Sequence, residues 1–174
     1  LPDPAPARKG MMDILAHPNP ALRQPAEPVD PAADDSLRPL AARMARLMYE
    51  APGIGLAATQ VGVQKRLIVF DLDEQLVALC NPEIAERSEE TETDEEGCLS
   101  LPGITVPVER ASRVVCTALD LDGEPVRIEA DGLYARLLQH ETDHLDGVLI
   151  IDRATPEERR AAIRRYNEAR DETG

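Results

Sequence analysis

The sequence predicts an α+β fold in which mostly antiparallel strands pack around a central helix, with one helix at the N-terminal side and another at the C-terminal side. Strand-like segments follow one another without a helix between them, and amphipathic helical patterns stand before and after these segments. A parallel sheet would instead need strands that alternate with helices. We therefore expect strands joined as hairpins, with helices covering the faces of the sheet.

The first helix is predicted over residues 36–50, where apolar side chains recur at helical spacing. These side chains are Leu37, Leu40, Met44, Leu47 and Met48. Pro52 and Gly53 follow, and neither residue continues a helix easily. Residues 18–39 contain six prolines, so we expect an extended segment that wraps around the domain.

Three strands are predicted next, because aliphatic and β-branched residues dominate their segments. They cover residues 66–72, 75–81 and 113–121. Asp122-Gly123 is a turn signal that leads into a further strand over residues 126–130, which predicts an antiparallel hairpin. Residues 86–96 are acidic and almost without apolar side chains, so we expect a solvated connection there.

Two helices complete the prediction. The central helix covers residues 132–146, with Asp131 as its N-cap and Gly147 as its stop. The terminal helix covers residues 156–171, and Thr155 is its candidate N-cap, followed by proline at the first helical position.

Composition limits the classes of function. The 174 residues carry a formal net charge of −14, which argues against sequence-specific nucleic-acid binding, since that needs a basic face. Apolar runs fall far short of the roughly 20 residues that cross a bilayer, so no membrane partner is expected. Three cysteines suit reduced thiols and a cytoplasmic location better than a disulfide framework. Length indicates one domain over residues 13–174, and residues 1–12 are interpreted as a flexible extension or a cloning remnant.

The segment HETDH, from His140 to His144, carries the strongest chemical signal. Residues four apart share one face of a helix, so the two histidines can direct their imidazoles at one metal ion. Glu141 lies off that line but can reach a water beside the metal, as a general base must. The plainer alternative, two surface histidines on an amphipathic helix, stays open.

A catalytic metal site usually takes three protein ligands, so a third is needed. In metzincin proteases the pattern continues to a histidine at the position of Ile150, which excludes that class. Glu168 is a downstream candidate, but in an arginine-rich helix it is more simply a solvated charge. Cys98 is the better candidate, because thiolates bind Fe(II) and Zn(II) well and Gly97 lets the backbone approach closely. The other two cysteines lie in apolar strand patterns and are assigned to the core.

The segment GIGLAATQ, residues 53–60, is the third pattern. Its glycines match the loose dinucleotide-binding fingerprint, but that motif needs a preceding strand, and here a helix precedes. The segment is then either a tight turn without function or a backbone edge beside the site. In the second case Gln60 can offer an amide N–H to a developing oxyanion.

With these three patterns in order, the chain resembles the bacterial peptide deformylases. The motifs of that family are G-Φ-G-Φ-A-A-x-Q, E-G-C-Φ-S and H-E-x-D-H, where Φ is apolar. This chain has GIGLAATQ at 53–60, EGCLS at 96–100 and HETDH at 140–144, and the resemblance extends from Ile14 to the last helix. It implies an enzyme that removes the formyl group from the N-terminal formyl-methionine of nascent polypeptides and releases formate.

The resemblance also implies the residues of the active site. The ligands of one divalent metal ion correspond to Cys98, His140 and His144, with Fe(II) expected in the cell and Zn(II) or Ni(II) able to substitute. Glu141 corresponds to the proton carrier. The side-chain amide of Gln60 and the backbone N–H of Leu99 correspond to the donors that stabilise the oxyanion.

Substrate contacts follow from the same resemblance. Ile54, Gly55 and Gly97 correspond to backbone positions that hold the peptide as an added strand. Leu133 and Leu137, with Ile54, are expected to form an apolar pocket for the methionine side chain, although both leucines also suit ordinary core packing.

The arginines of the terminal helix suggest a ribosomal contact near the tunnel exit, where family members meet formylated nascent peptides; a solvated, salt-bridged helix is an equally good interpretation. We expect a monomer. Two other functions stay open at this point. One is a metallopeptidase built on the same histidine pair, and the other is a binding module with a structural metal, although no fourth ligand stands out.

Overall fold

The computed structural model describes residues 12–173, and its architecture is the predicted α+β fold. Its strands are β1 (Gly55–Ala57), β2 (Leu67–Leu72), β3 (Gln75–Arg87), β4 (Thr91–Gly97), β5 (Thr105–Ala111), β6 (Arg113–Leu119) and β7 (Pro125–Asp131). Its helices are α1 (Leu37–Glu50), α2 (Gly132–Leu145), α3 (Ile150–Arg153) and α4 (Pro156–Thr173), with short 3-10 turns at Pro20–Arg23 and Ala58–Val61. The prediction for residues 1–12 lies outside the described residues, apart from Met12.

Five strands form one antiparallel sheet in the order β1-β2-β3-β6-β7, and β4 pairs with β5 in a separate antiparallel ribbon. Side chains of β2 alternate between the two faces of the sheet, as the twofold repeat of a strand requires. Ile68 and Phe70 pack in a cluster with α2, whereas Leu67 and Val69 pack in a cluster with α1. The sheet is therefore a layer between these two helices.

Helix α2 occupies the central position that the sequence predicts. It contacts the large sheet on one side and β5 of the ribbon on another. A third apolar cluster lies beyond the ribbon, where Ile150 of α3 and Tyr166 of α4 pack against Val106 and Val108 of β5. Among the described residues, no helix combines the length and the apolar character that crossing a bilayer requires.

The elements with strong local signals lie where they were predicted. Helix α1 and the hairpin of β6 and β7 match their segments, and Gly123 in the hairpin turn has a φ of 83°. The Thr155 hydroxyl accepts a hydrogen bond from the Glu158 amide (3.2 Å), which is the predicted cap of α4. The proline-rich segment wraps across the end of α2, where the Ala26 amide donates to the Leu145 carbonyl (2.8 Å).

Two local expectations are wrong. Residues 86–96 are not a solvated connection, because β3 continues to Arg87 and β4 begins at Thr91, paired with β5 along its whole length. A strand of a two-stranded ribbon can leave nearly every side chain in water, so its composition resembles that of a loop. Asp131 precedes α2 with extended backbone, but its side chain accepts no capping hydrogen bond.

Replacing Gly147 with alanine should lower the free energy of unfolding by roughly 2–4 kcal/mol. Gly147 ends α2 with a φ of 77°, and a Cβ there would lie 2.5 Å from the Arg23 carbonyl oxygen. Gly123→Ala is the matched control, because Gly123 has a similar φ but open space around its Cα. Urea denaturation of both variants measures the difference, and equal losses would contradict a role for the Arg23 contact.

Candidate metal centre

Three predicted ligands meet between the ribbon and α2. Cys98 directly follows β4, and His140 and His144 lie one turn apart on α2. The Cys98 Sγ lies 3.3 Å from the His144 Nε2, and the two imidazole Nε2 atoms lie 3.2 Å apart. One ligand atom from each residue falls within 4.8 Å of the others. A cation can therefore contact all three without a rearrangement of the backbone.

The chemistry of this site fits a divalent metal ion. Burial lowers the pKa of His144 well below its ordinary value, so this imidazole is neutral and has a lone pair to donate. Burial lowers the pKa of His140, but the hydrogen bonds of its ring nitrogens to Cys98 and Glu96 outweigh burial and raise this pKa well above its ordinary value. A thiolate with two imidazoles is a set of donors that Fe(II), Zn(II) and Ni(II) accept.

Glu141 lies beside the candidate ligands, with its Oε1 4.0 Å from the His140 Nε2. The side chain is buried, and its Oε1 has no hydrogen-bond partner among the described residues. Burial raises the pKa of Glu141 to about 7, which suits a group that takes up and releases a proton near neutral pH. A Cβ on Gly55 would lie 2.5 Å from the Glu141 Oε2, so any larger residue at position 55 would displace this carboxylate from its present place.

Gln60 is held in one orientation by its own turn. Its Oε1 accepts a hydrogen bond from the Ala57 amide (2.9 Å), which fixes which end of the side-chain amide points towards the ligands. Its Nε2 then lies 3.1 Å from the Ser100 hydroxyl and 3.7 Å from the Cys98 Sγ. The backbone N–H of Leu99 belongs to the residue after Cys98, the candidate ligand. Both predicted oxyanion donors therefore lie next to the candidate metal ligands.

A cavity of about 640 Å³ opens beside these groups. Its lining includes all five predicted substrate contacts, which are Ile54, Gly55, Gly97, Leu133 and Leu137. The Ile54 side chain is 46% exposed and Leu133 is 59% exposed, so both offer apolar surface to a ligand. Leu137 is buried in the apolar cluster between α2 and the sheet, and it also lines the cavity.

Glu96 is the residue whose role the sequence analysis missed. It is buried on β4, and its Oε1 accepts a hydrogen bond from the His140 Nδ1 (3.0 Å). Although burial opposes the charge, hydrogen bonds with His140 and Arg110 hold the pKa of Glu96 at about 2. The carboxylate thereby turns the His140 Nε2 towards the other ligands. The sequence contains a hint of this role, because metal-bound histidines commonly donate to a carboxylate and Glu96 lies only two residues before Cys98.

The C-terminal end of α2 is fixed by other parts of the chain. The Thr59 hydroxyl donates to the His144 carbonyl (3.1 Å), and the Arg66 Nη1 donates to the Leu145 carbonyl (3.3 Å). The His144 carbonyl also accepts from the Gly147 amide (3.1 Å) and the Leu145 carbonyl from the Ala26 amide (2.8 Å), so residues outside the helix satisfy its last carbonyls and anchor the second histidine.

Comparison with known proteins gives one family. The polypeptide deformylase family model matches residues 11–160. The peptide deformylase of Acidothermus cellulolyticus is 50% identical over 151 residues, which is 87% of this chain and 83% of that protein. The peptide deformylase of Alkalilimnicola ehrlichii is 51% identical over 159 residues, which is 89% of this chain and 88% of that protein.

Solved structures agree with the sequence relatives. A peptide deformylase from Legionella pneumophila superposes with a TM-score of 0.86 at 40% identity, covering 94% of this chain and 97% of that one. A peptide deformylase from Synechococcus elongatus, solved in complex with actinonin, superposes with a TM-score of 0.85 at 42% identity. The match covers 90% of this chain and 88% of that one.

Glu96→Gln should weaken metal binding roughly 10–100-fold, because the amide no longer orients His140 as a charged acceptor. Competition with a chelating dye measures the affinity for Zn(II) or Co(II). Asp94→Asn is the matched control, since it removes a carboxylate from an exposed position of the same strand. Equal affinities in the two variants would contradict the role assigned to Glu96.

Proposed function

The chain belongs to the polypeptide deformylase family, and on this basis we propose that it hydrolyses the formyl group from the N-terminal formyl-methionine of nascent polypeptides. The observation that carries the proposal is the convergence of Cys98, His140 and His144 beside the buried carboxylate of Glu141. The adjoining apolar cavity supports it, since a methionine side chain needs an apolar site. We further propose that residues 13–174 form the single catalytic domain.

The proposed cofactor is one divalent metal ion, held by the Sγ of Cys98 and the Nε2 atoms of His140 and His144. We propose Fe(II) as the ion in the cell, with Zn(II) or Ni(II) able to replace it, because all three accept thiolate and imidazole donors. When bound, such an ion polarises a carbonyl and lowers the pKa of a coordinated water.

Glu141 is the proposed proton carrier. It takes a proton from the attacking water as the oxygen adds to the formyl carbon, and it returns this proton to the amide nitrogen as the C–N bond breaks. The water thus supplies a hydroxyl to the formyl group and a hydrogen to the nitrogen. The products are formate and a free amine.

Two donors are proposed to stabilise the oxyanion of the tetrahedral intermediate. The Gln60 Nε2 is already oriented by the Ala57 amide, so no side-chain freedom is lost during the reaction. The Leu99 backbone N–H is the second donor, fixed by its place next to Cys98. Removing one donor of this kind commonly lowers the rate about 10²–10³-fold.

The peptide is proposed to bind as an added strand at the cavity. Strand β1 is at the edge of the large sheet, and in the described part of the chain β4 pairs only with β5. Ile54 and Gly55 lie on one side of the cavity, and Gly97 ends β4. Backbone hydrogen bonds hold a peptide without reading its sequence, which suits an enzyme that acts on many nascent chains. Ile54, Leu133 and Leu137 are the proposed contacts of the methionine side chain.

The proposed site of ribosome contact is one face of α4. Arg160 and Arg164 are exposed and one turn apart, so both can reach a phosphate backbone. Arg159 instead bonds to Asp152. Tyr166 is buried in the core, so deletion of the helix would unfold its surroundings and is a poor test. We also propose a monomer that acts in the cytoplasm, where bacterial nascent chains are made.

Formate release from formyl-Met peptides by anaerobically prepared protein tests the activity directly. Glu141→Ala should retain stoichiometric metal and lose at least about 10²-fold in turnover, because proton transfer is removed. Cys98→Ala should lose both metal and turnover, whereas a metallopeptidase that uses the histidine pair alone would keep both.

Cys80→Ala is the control for these variants, because Cys80 is a buried cysteine of β3 in the core cluster with α1. Metal content and formate release close to those of the parent protein are expected. If the parent protein binds metal but releases no formate, the binding-module alternative replaces the proposed activity.

Charge reversal at Arg160 and Arg164 together should weaken co-sedimentation with ribosomes and leave formate release from short peptides unchanged. The matched control reverses Arg43 and Arg46, two exposed arginines of α1, and so changes the net charge equally. Equal sedimentation of the two variants would identify α4 as a solvated helix with no ribosomal role.

A further inference from the structure

The buried guanidinium of Arg110 lies between two carboxylates. Its Nε and Nη2 donate to the two oxygens of Glu96 at 2.9 and 3.0 Å, and its Nη1 donates to the Asp143 Oδ2 at 2.6 Å. The Arg110 side chain is 5% exposed, so water does not weaken these ion pairs.

The two carboxylates belong to α2, which carries the histidine pair, and to β4, which Cys98 directly follows. Glu96 is on β4, two residues before Cys98, and Asp143 is on α2, between His140 and His144. Arg110 itself is on β5 and is not part of the cavity lining. One side chain therefore joins the cysteine segment to the histidine helix.

We propose that Arg110 is a positioning residue that sets the distance between the Cys98 sulfur and the histidine pair. The inference rests on the metal centre of the proposed function. Arg110 touches no candidate ligand, and it acts through Glu96 and Asp143. Arg136 and His140 of α2 also bond to Glu96, and Arg110 adds a guanidinium that bonds to the carboxylates of both Glu96 and Asp143.

The chemistry of the guanidinium explains why arginine occupies this position. Its planar fork binds one carboxylate with two donors and still presents a third donor to a second carboxylate. A lysine ammonium has three donors on one nitrogen, so it lacks the spread-out nitrogens with which Arg110 reaches both carboxylates. The outer sides of both carboxylates are held as well, Glu96 by the Arg136 Nη1 (2.6 Å) and Asp143 by the Arg153 Nη2 (2.9 Å).

The test compares Co(II) binding by the full-length apoprotein and its variants, measured by dye competition and by the visible absorption of the bound ion. Arg110→Lys should bind Co(II) about 10–100-fold more weakly and shift its absorption bands, since the ligand geometry is relaxed. Arg127→Lys is the control, because Arg127 is an exposed arginine that bonds to Glu129. Thermal unfolding of each apoprotein reports whether the variant is folded.

A second pair of variants keeps the test decisive if Arg110→Lys does not fold. Asp143→Asn should weaken Co(II) binding about 10-fold, because it disturbs the link to α2. Arg153→Lys disturbs the same carboxylate from its other side, and it should bind Co(II) as the parent protein does. A merely structural role of Asp143 would lower the thermal midpoint of both variants without separating their absorption spectra.

The outcomes separate the inference from the proposed function. If Arg110→Lys and Asp143→Asn match the parent protein in affinity and spectrum, the positioning role is wrong and the metal centre stands. The positioning role is also wrong if Arg153→Lys loses as much affinity as Asp143→Asn. If the parent protein itself binds no Co(II), the metal centre and the inference both fail.

Discussion

Burial of the Glu96 carboxylate against Arg110, Arg136 and His140 is the interaction on which the candidate metal centre depends. Buried ion pairs are costly to desolvate and are weak contributors to stability in comparison with packed apolar residues. Their value lies in orientation, because each partner is held by several directed hydrogen bonds. Here the oriented group is an imidazole that must present one particular nitrogen to the site. Burying the charges of Glu96 and its arginine partners costs desolvation energy, and the result is a fixed orientation of the His140 ring.

The rest of the fold makes the site rigid on one side and accessible on the other. Helix α2 is packed between the large sheet and the ribbon, and its final carbonyls are bonded by Thr59 and Arg66. The cavity side is bordered by β1 at a sheet edge and by the end of β4. Catalytic geometry requires the rigid side, and recognition of a peptide backbone requires the accessible side. The two properties are separated because the candidate ligands lie on α2 and directly after β4, whereas the strand edges lie at the mouth of the cavity.

The sequence predicts those features that are local. Two histidines four residues apart define a helix face, and Asp122-Gly123 defines a hairpin, so α2 and the pairing of β6 with β7 follow from short patterns. The prediction of a solvated connection over residues 86–96 fails because the structure of this segment depends on residues distant in the sequence. Its strand character comes from pairing with β5, and the burial of Glu96 comes from arginines 14 and 40 residues away. A local pattern contains neither fact, so the composition of the segment predicts a solvated connection although Glu96 at its end is buried.

X-ray absorption at the metal edge of protein loaded with one equivalent of Zn(II) tests the central claim most directly. The account predicts one sulfur at about 2.3 Å and two imidazole nitrogens at about 2.0–2.1 Å, which are ordinary distances for these ligands. A first shell of nitrogen and oxygen alone would show that the Cys98 sulfur does not bind the ion. That result would contradict a centre shared between the end of β4 and helix α2.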